Sequence, residues 1–66
     1  MNNDIVTGRI IQRILEAKKN RKHLITHGIS YNLNPYTIIN NIKKYCSIRD
    51  IILEELPFGY KLILFF

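Results

Sequence analysis

Cysteine, tryptophan, proline and glycine are all scarce in this sequence of 66 residues. It contains one cysteine, no tryptophan, two prolines and three glycines. A single cysteine excludes a framework of intramolecular disulfides, so we expect an intracellular protein with a cytoplasmic location. With 47% hydrophobic residues, the chain has the composition of a folded domain and not of a disordered segment.

Long apolar runs are missing as well. None approaches the roughly 20 residues that span a bilayer, and the first segment, MNNDIVTGR, is too polar and acidic for a signal peptide. We therefore expect no membrane partner. The length fits a single domain, residues 1–66. A domain of this size buries only about 60% of its unfolded surface, so a second subunit would stabilise it.

Acidic residues are few: five Asp and Glu stand against ten Lys and Arg, for a net charge of +5. Between Arg9 and Lys44 there are eight basic residues and a single acid, Glu16. This distribution predicts that a polyanion contacts the first two-thirds of the chain. The alternative is an ordinary solvated surface, and we favour the nucleic acid.

Catalytic and metal-binding motifs are absent from the sequence. His23 and His27 are four residues apart, a spacing that places two imidazoles together on a helix, but only Cys46 offers a further soft ligand. A lone cysteine at a helical core position is typical of a small hydrophobic residue. The sequence has no glycine-rich phosphate loop and no Ser-His-Asp pattern. We therefore expect no enzyme activity, metal, cofactor or small-molecule substrate.

The pattern of the first half predicts two helices. The first begins at Asn2 or Asn3 as a cap and ends at Asn20. A second helix of about two turns is expected over Arg21–His27, and Gly28 should stop it in a left-handed conformation.

A third helix is expected from Pro35 to about Cys46. Asn34 is a suitable N-cap, and Pro35 suits the first helical position because its missing N–H costs nothing there. Ile38 and Ile42 fall on the buried stripe. The opposite side is rich in amide, hydroxyl and ammonium groups and has no carboxylate; it carries Tyr36, Thr37, Asn40, Asn41 and Lys44.

The last third of the chain predicts a β-hairpin. Arg49–Leu56 and Tyr60–Phe66 are rich in β-branched and aromatic residues and are separated by Pro57-Phe58-Gly59. The final strand is apolar on both faces, which predicts a covered second face. We expect a two-fold homodimer there, through Leu62, Leu64, Phe65 and Phe66. The alternatives are a docking patch for another protein or a liability to aggregation.

Three helices followed by a hairpin, with a capped basic third helix, is the order of a winged helix-turn-helix domain. The stretch GRIIQRILEAKKNRKHLITHGISYNLNPYTIINNIKKY resembles small archaeal-type winged-helix regulators, and Gly59-Tyr60-Lys61-Leu62 resembles their second wing strand. The resemblance implies an α+β fold, a three-helix winged helix-turn-helix with a C-terminal two-stranded β-hairpin.

The same resemblance implies a double-stranded DNA-binding protein that regulates transcription. The third helix, about 35–46, would enter the major groove with Tyr36, Thr37, Asn40, Asn41 and Lys44. Arg21, Lys22 and the hydroxyls of Thr26 or Ser30 would contact phosphates. Independently of any family, Asn pairs with adenine in bidentate fashion and Lys reaches guanine or phosphate. The alternatives are a protein-interaction module that uses the apolar hairpin, and a first helix lying on an anionic membrane.

Overall fold

Two helices and three strands make up the described part of the chain, residues 3–66 of the computed structural model. In chain order these are α1 (Asn3–Lys19), β1 (Leu24–Ser30), α2 (Pro35–Tyr45), β2 (Asp50–Leu56) and β3 (Gly59–Phe65). The strands form one antiparallel sheet in the order β1-β3-β2, and both helices pack on one face of it. Neither described helix is long and apolar enough to cross a membrane. Asn2, one of the two expected caps of α1, lies outside the described residues.

The prediction of three helices with a two-stranded hairpin is wrong. Arg21–His27 is not helical: β1 occupies most of this segment and pairs along its whole length with β3, from Leu24 opposite Phe65 to Ser30 opposite Gly59. Residues four apart lie on one face in a helix and also in a strand, because four is an even number of strand positions and about one helical turn. The four-residue spacing of His23 and His27 therefore could not distinguish the two structures.

Gly28 does not stop a helix either. It lies inside β1, and none of the described glycines has a positive φ. A strand thus lies between α1 and α2 where a helix-turn-helix domain needs a helix, so the winged helix-turn-helix arrangement is overturned for this chain.

The left-handed residue of this region is Arg21, with φ 59°. It ends α1 in a Schellman motif: the N–H of Lys22 donates to the carbonyl of Ala17, and the N–H of Arg21 donates to that of Lys18. Glycine usually occupies this position because it has no Cβ to clash with the backbone. Here the chain uses an arginine.

Helix α2 begins as its sequence predicts. The Asn34 side-chain oxygen accepts hydrogen bonds from the backbone N–H groups of Tyr36 at 3.0 Å and Thr37 at 3.2 Å, and Pro35 is in the first turn. Cys46 caps the other end with an N–H donated to the carbonyl of Ile42. The expected helix of about 35–46 is therefore confirmed to within one residue.

The core lies between the helices and the sheet. β2 and β3 form the expected hairpin around Pro57 and Phe58, but β3 also pairs with β1 and so becomes the central strand. Both helices and the central strand supply fully buried side chains, namely Ile10, Ile14, Ile38, Ile42, Leu62 and Leu64. This packing fixes the direction in which every surface residue of α2 points.

Candidate nucleic-acid interface

The polar side of α2 faces outward. Tyr36 is 66% exposed, and Thr37, Asn40 and Lys44 are exposed as well. Asn41 is half-buried and is therefore less exposed than these four residues. It lines a groove between the helices together with Asp4, Thr7, Gly8, Ile11 and Tyr45. Four of the five residues expected on this helix therefore share the outer side, and Asn41 lies at its margin.

This side of α2 is held in a fixed orientation. Ile38 and Ile42 have no exposed surface, so the helix cannot rotate without opening the core. At its start, the backbone N–H of Asn34 donates to the Asn3 side-chain oxygen at 3.1 Å, which ties α2 to the first turn of α1. Rigid presentation matters for recognition, because a preorganised surface loses less entropy on binding.

The ends of both helices and of the sheet meet in a basic cluster. Lys18 Nζ donates to the Ser47 carbonyl at 2.9 Å, and the N–H of Phe66 donates to the His23 carbonyl at 2.9 Å. These contacts join the last turn of α1, the turn after it and the segment after α2. The cluster, called here the basic end, consists of Lys18, Lys19, Arg21, Lys22, Lys43, Lys44 and Arg49. Seven of the ten basic residues of the chain are thus at one end of the fold.

Two acids, Glu16 and Asp50, lie close to the seven cations of the basic end. Glu16 lines a cavity together with Lys22. Asp50 follows Arg49 directly, and its carboxylate accepts a hydrogen bond from the N–H of Ile51. Glu54 lies further along β2 and is paired with Lys61 across 3.9 Å. The positive field of the basic end is therefore only weakly offset.

Ser30 does not belong to this surface. It is the last residue of β1, about 20 Å of strand away from the turn that holds Arg21 and Lys22. The fold therefore brings together Arg21, Lys22 and Lys44 from the predicted set, and it places Ser30 at the opposite end of the sheet. Thr26, the alternative hydroxyl, is exposed in the middle of the same strand.

A second polar site, not anticipated from the sequence, lies between α1 and β1. An open cavity of about 410 Å³ is lined by Arg9, Gln12, Arg13, Glu16 and His27. Arg13 Nη1 lies 2.9 Å from the Thr26 carbonyl and 2.7 Å from Nδ1 of His27. Because arginine only donates, Nδ1 accepts and the neutral ring carries its proton on Nε2.

The environment keeps the imidazole of this cavity neutral. Burial lowers the pKa of His27 from its ordinary value of 6.5, and the positive charges of Arg13 and Arg9 lower it further. The four-residue spacing of Arg9 and Arg13 on α1 is the sequence signal for this site. It identifies a pair on one helix face, but not the histidine that joins them.

The two histidines cannot share a metal. They lie four positions apart along extended chain, a separation of about 13 Å, and not on one turn of helix. Residues 3–66 contain no group of three or more His, Cys, Asp or Glu side chains placed to hold a metal ion.

The residues expected at a dimer interface divide between the two faces of the sheet. Leu62 and Leu64 are fully buried in the core, and Phe66 packs against that core with Lys18 Nζ 5.8 Å from its ring centre. Phe65 lies on the opposite side of β3, half-buried. Leu62 and Leu64 are thus unavailable to a second subunit.

The side of the sheet away from the helices, called here the outer face, is still apolar in part. Leu24 and Ile52 on its two edge strands are each 45% exposed. They flank the half-buried Ile63 and Phe65 of the central strand.

Comparisons of this chain with protein-family models, with curated proteins and with solved structures find no match.

Proposed function

We propose that this protein binds double-stranded DNA through the outer side of α2 together with the basic end. The observation that carries the proposal is the continuity of the two surfaces. Lys44 belongs to both, because it lies on the outer side of α2 and in the last turn of that helix, beside the other cations of the basic end. No acidic residue lies on α2, so nothing on this helix repels a phosphate.

The dimensions of α2 support a major-groove contact. A helix with its side chains is about 10–12 Å wide, and the major groove of B-DNA is about 12 Å wide. Asn40 would read adenine by a bidentate hydrogen bond, and Lys44 would reach guanine or a phosphate. Tyr36 and Thr37 at the start of the helix offer hydroxyls to a phosphate or a base edge.

The basic end would position the protein without reading sequence. Arg21 and Lys22 project from the turn after α1 and would contact phosphates on the flank of the groove. Each phosphate neutralised in this way releases condensed counterions, so the affinity should depend steeply on salt. A role in transcription regulation would require that α2 also distinguish base sequences.

The test is a fluorescence-anisotropy titration of labelled duplex DNA over a series of salt concentrations. Lys44→Gln and Lys61→Gln each remove one positive charge, the first from α2 and the second from the outer face of the sheet. We expect Lys44→Gln to weaken binding and to reduce the slope of log K against log salt by about one. Lys61→Gln should leave both nearly unchanged.

Asn40→Ala completes the test. It should weaken binding to AT-rich duplex more than binding to GC-rich duplex, since the bidentate partner of Asn is adenine. Absence of duplex binding at low salt would refute the proposal. Equal effects of Lys44→Gln and Lys61→Gln would refute the assignment to α2.

The outer face supports a second candidate, an interaction surface for another copy of this chain. Of its exposed apolar side chains, Ile52 lies two residues before Glu54 on the same face of β2, beside the Lys61–Glu54 pair, and Leu24 lies further along the sheet, opposite Phe65. In a two-fold contact, Lys61 of one copy would lie against Glu54 of the other, so the face is complementary to itself. Ile52→Lys should then shift sedimentation from dimer to monomer. Leu15→Lys changes an apolar residue of α1 that is more exposed than Ile52 and should have no such effect.

A further inference from the structure

The groove between α1 and β1 is larger than its first cavity. A second cavity of about 320 Å³ adjoins it and is lined by Val6, Arg9, His27, Gly28, Ile29, Ser30, Asn32 and Leu33. Arg9 and His27 line both cavities, so together the cavities form one groove along the free edge of β1. Arg9 and Arg13 only donate, and the His27 ring donates from Nε2. Gln12 and Asn32 offer amides that both donate and accept, and Glu16 contributes one carboxylate.

The charge in this groove is distributed unevenly. Arg9 and Arg13 lie one helical turn apart on α1, and Glu16 lines the first cavity one turn further on. The neighbour of His27 on β3 is Leu62, which is uncharged and buried. Around His27 there are thus two positive charges and one negative charge, all from α1. The second cavity is lined by no carboxylate at all.

We propose that this groove binds a phosphate group between Arg9, Arg13 and His27. Two guanidinium groups one turn apart match the oxygens of a phosphate, to which arginine binds in bidentate fashion. Asn32 would donate to the oxygens or to the group esterified to the phosphate. The site lies on the β1 side of α1 and does not include the outer side of α2, so it does not depend on the proposed DNA contact of that helix.

Binding at this site is coupled to proton uptake. In the free protein Arg13 donates to Nδ1 of His27. When a phosphate oxygen accepts the hydrogen bond of Arg13, Nδ1 of His27 loses its donor. The negative charge of the phosphate then favours the protonated imidazolium form of the ring. Nδ1 of His27 then takes up a proton from the solvent, and the resulting N–H donates a hydrogen bond to the phosphate. Phosphate should therefore bind more tightly as the pH falls.

The experiment follows the His27 ring by NMR as a function of pH. Dimethyl phosphate is the first probe, because its single negative charge is the same at every pH used; sodium chloride at equal ionic strength is the control. We expect saturating dimethyl phosphate to raise the His27 pKa by about one unit, which corresponds to about tenfold tighter binding to the protonated protein. No shift beyond that in sodium chloride would overturn the proposal.

Two variants show whether the shift arises in the groove. Arg9→Gln and Lys19→Gln each remove one positive charge from α1, but only Arg9 lines the groove. Arg9→Gln should abolish most of the shift caused by dimethyl phosphate, and Lys19→Gln should preserve it. Far-UV circular dichroism establishes that both are folded, and Arg9→Lys, which keeps the charge, should retain part of the shift. An equal shift in Arg9→Gln and Lys19→Gln would overturn the assignment.

The source of the phosphate is settled by two further probes, inorganic phosphate and duplex DNA. A shift of His27 with both would indicate a site that takes backbone phosphates of a bound nucleic acid. A shift with inorganic phosphate alone would indicate a free phosphate or a small phosphate ester. The Asn40→Ala, Lys44→Gln double variant should keep the shift with dimethyl phosphate, so failure of the DNA proposal and failure of this one give different results.

Discussion

Gly59, the first residue of the central strand, lies directly against the backbone carbonyl of Ile29. A Cβ at position 59 would collide with that oxygen, and backbone cannot move aside as a flexible side chain can. We expect Gly59→Ala to destabilise the fold by about 1–3 kcal/mol, the usual cost of overpacking. The measurement is urea denaturation followed by circular dichroism.

The matched variant is Gly28→Ala, at a glycine of β1 where an added Cβ meets nothing within 4 Å. Glycine within a strand is less stable than alanine by roughly 0.5–1 kcal/mol. Gly28→Ala should therefore be neutral or stabilising. Equal losses at the two positions would contradict the close approach of Gly59 to Ile29.

Arg21 holds a left-handed conformation that glycine adopts at lower cost. For an L-residue this conformation costs roughly 1–2 kcal/mol, and Arg21→Gly removes that cost. Glycine also has more freedom in the unfolded chain, which lowers the gain in stability by about 0.4–1 kcal/mol. We expect Arg21→Gly to raise the free energy of unfolding by about 0.5–1 kcal/mol. Lys22→Gly, one position further and without a positive φ, should lower it. If Arg21→Gly is destabilising, the Schellman ending of α1 is wrong.

The Asn34 side chain caps α2 by accepting from two backbone N–H groups. Asn34→Ala leaves these groups without their partner and should cost about 1 kcal/mol, or about 4–8 °C in Tm for a domain of this size. Asn34→Ser, which retains a capping oxygen, should lose much less. Differential scanning calorimetry of the three proteins measures the effect, and identical Tm values would show that the cap contributes nothing.

The lowered pKa of His27 makes stability depend on pH. The unfolded chain binds a proton near pH 6.5, the ordinary value for histidine, whereas the folded protein takes it up only at lower pH. The free energy of unfolding should therefore fall as the pH drops below about 6.5, and this loss should be complete once the pH is below the folded-state pKa. Above pH 6.5 both states have a neutral ring and His27 adds no slope.

The comparison of His27→Gln with His23→Gln isolates this contribution in urea denaturation between pH 5 and pH 8. His27→Gln removes the titrating ring of the groove and should flatten the dependence. His23→Gln removes an exposed imidazole outside the groove and should leave the pH dependence of stability unchanged. An unchanged slope in His27→Gln would mean that other groups cause the dependence.

The elements predicted correctly from the sequence are those whose determinants lie close together along the chain. The start of α2 is specified by Asn34 and Pro35, within a few residues of the amides they affect, and the hairpin by the strand patterns around Pro57 and Phe58. The segment Arg21–His27 was predicted wrongly because a four-residue spacing, such as that of His23 and His27, suits a helix and a strand equally. Its state depends on pairing with β3, at the other end of the chain.

The candidate sites follow the same division. The outer side of α2 was predictable, because a helix with a known buried stripe has a known exposed one. The groove with Arg9, Arg13 and His27 was not, because it exists only where β1 lies beside α1. The exclusion of Leu62 and Leu64 from any interface also depends on the sheet, since the helices cover that face of β3.

The sequence by itself determined the excess of positive charge, the cap and acid-free face of α2, and the hairpin. Only the tertiary structure decided that the segment after α1 is a strand, that seven cations gather at one end, and that an arginine pair meets a histidine. The physical reason is range: caps and turns act over three or four residues, whereas strand pairing and the burial of a sheet face join residues that are far apart in the chain.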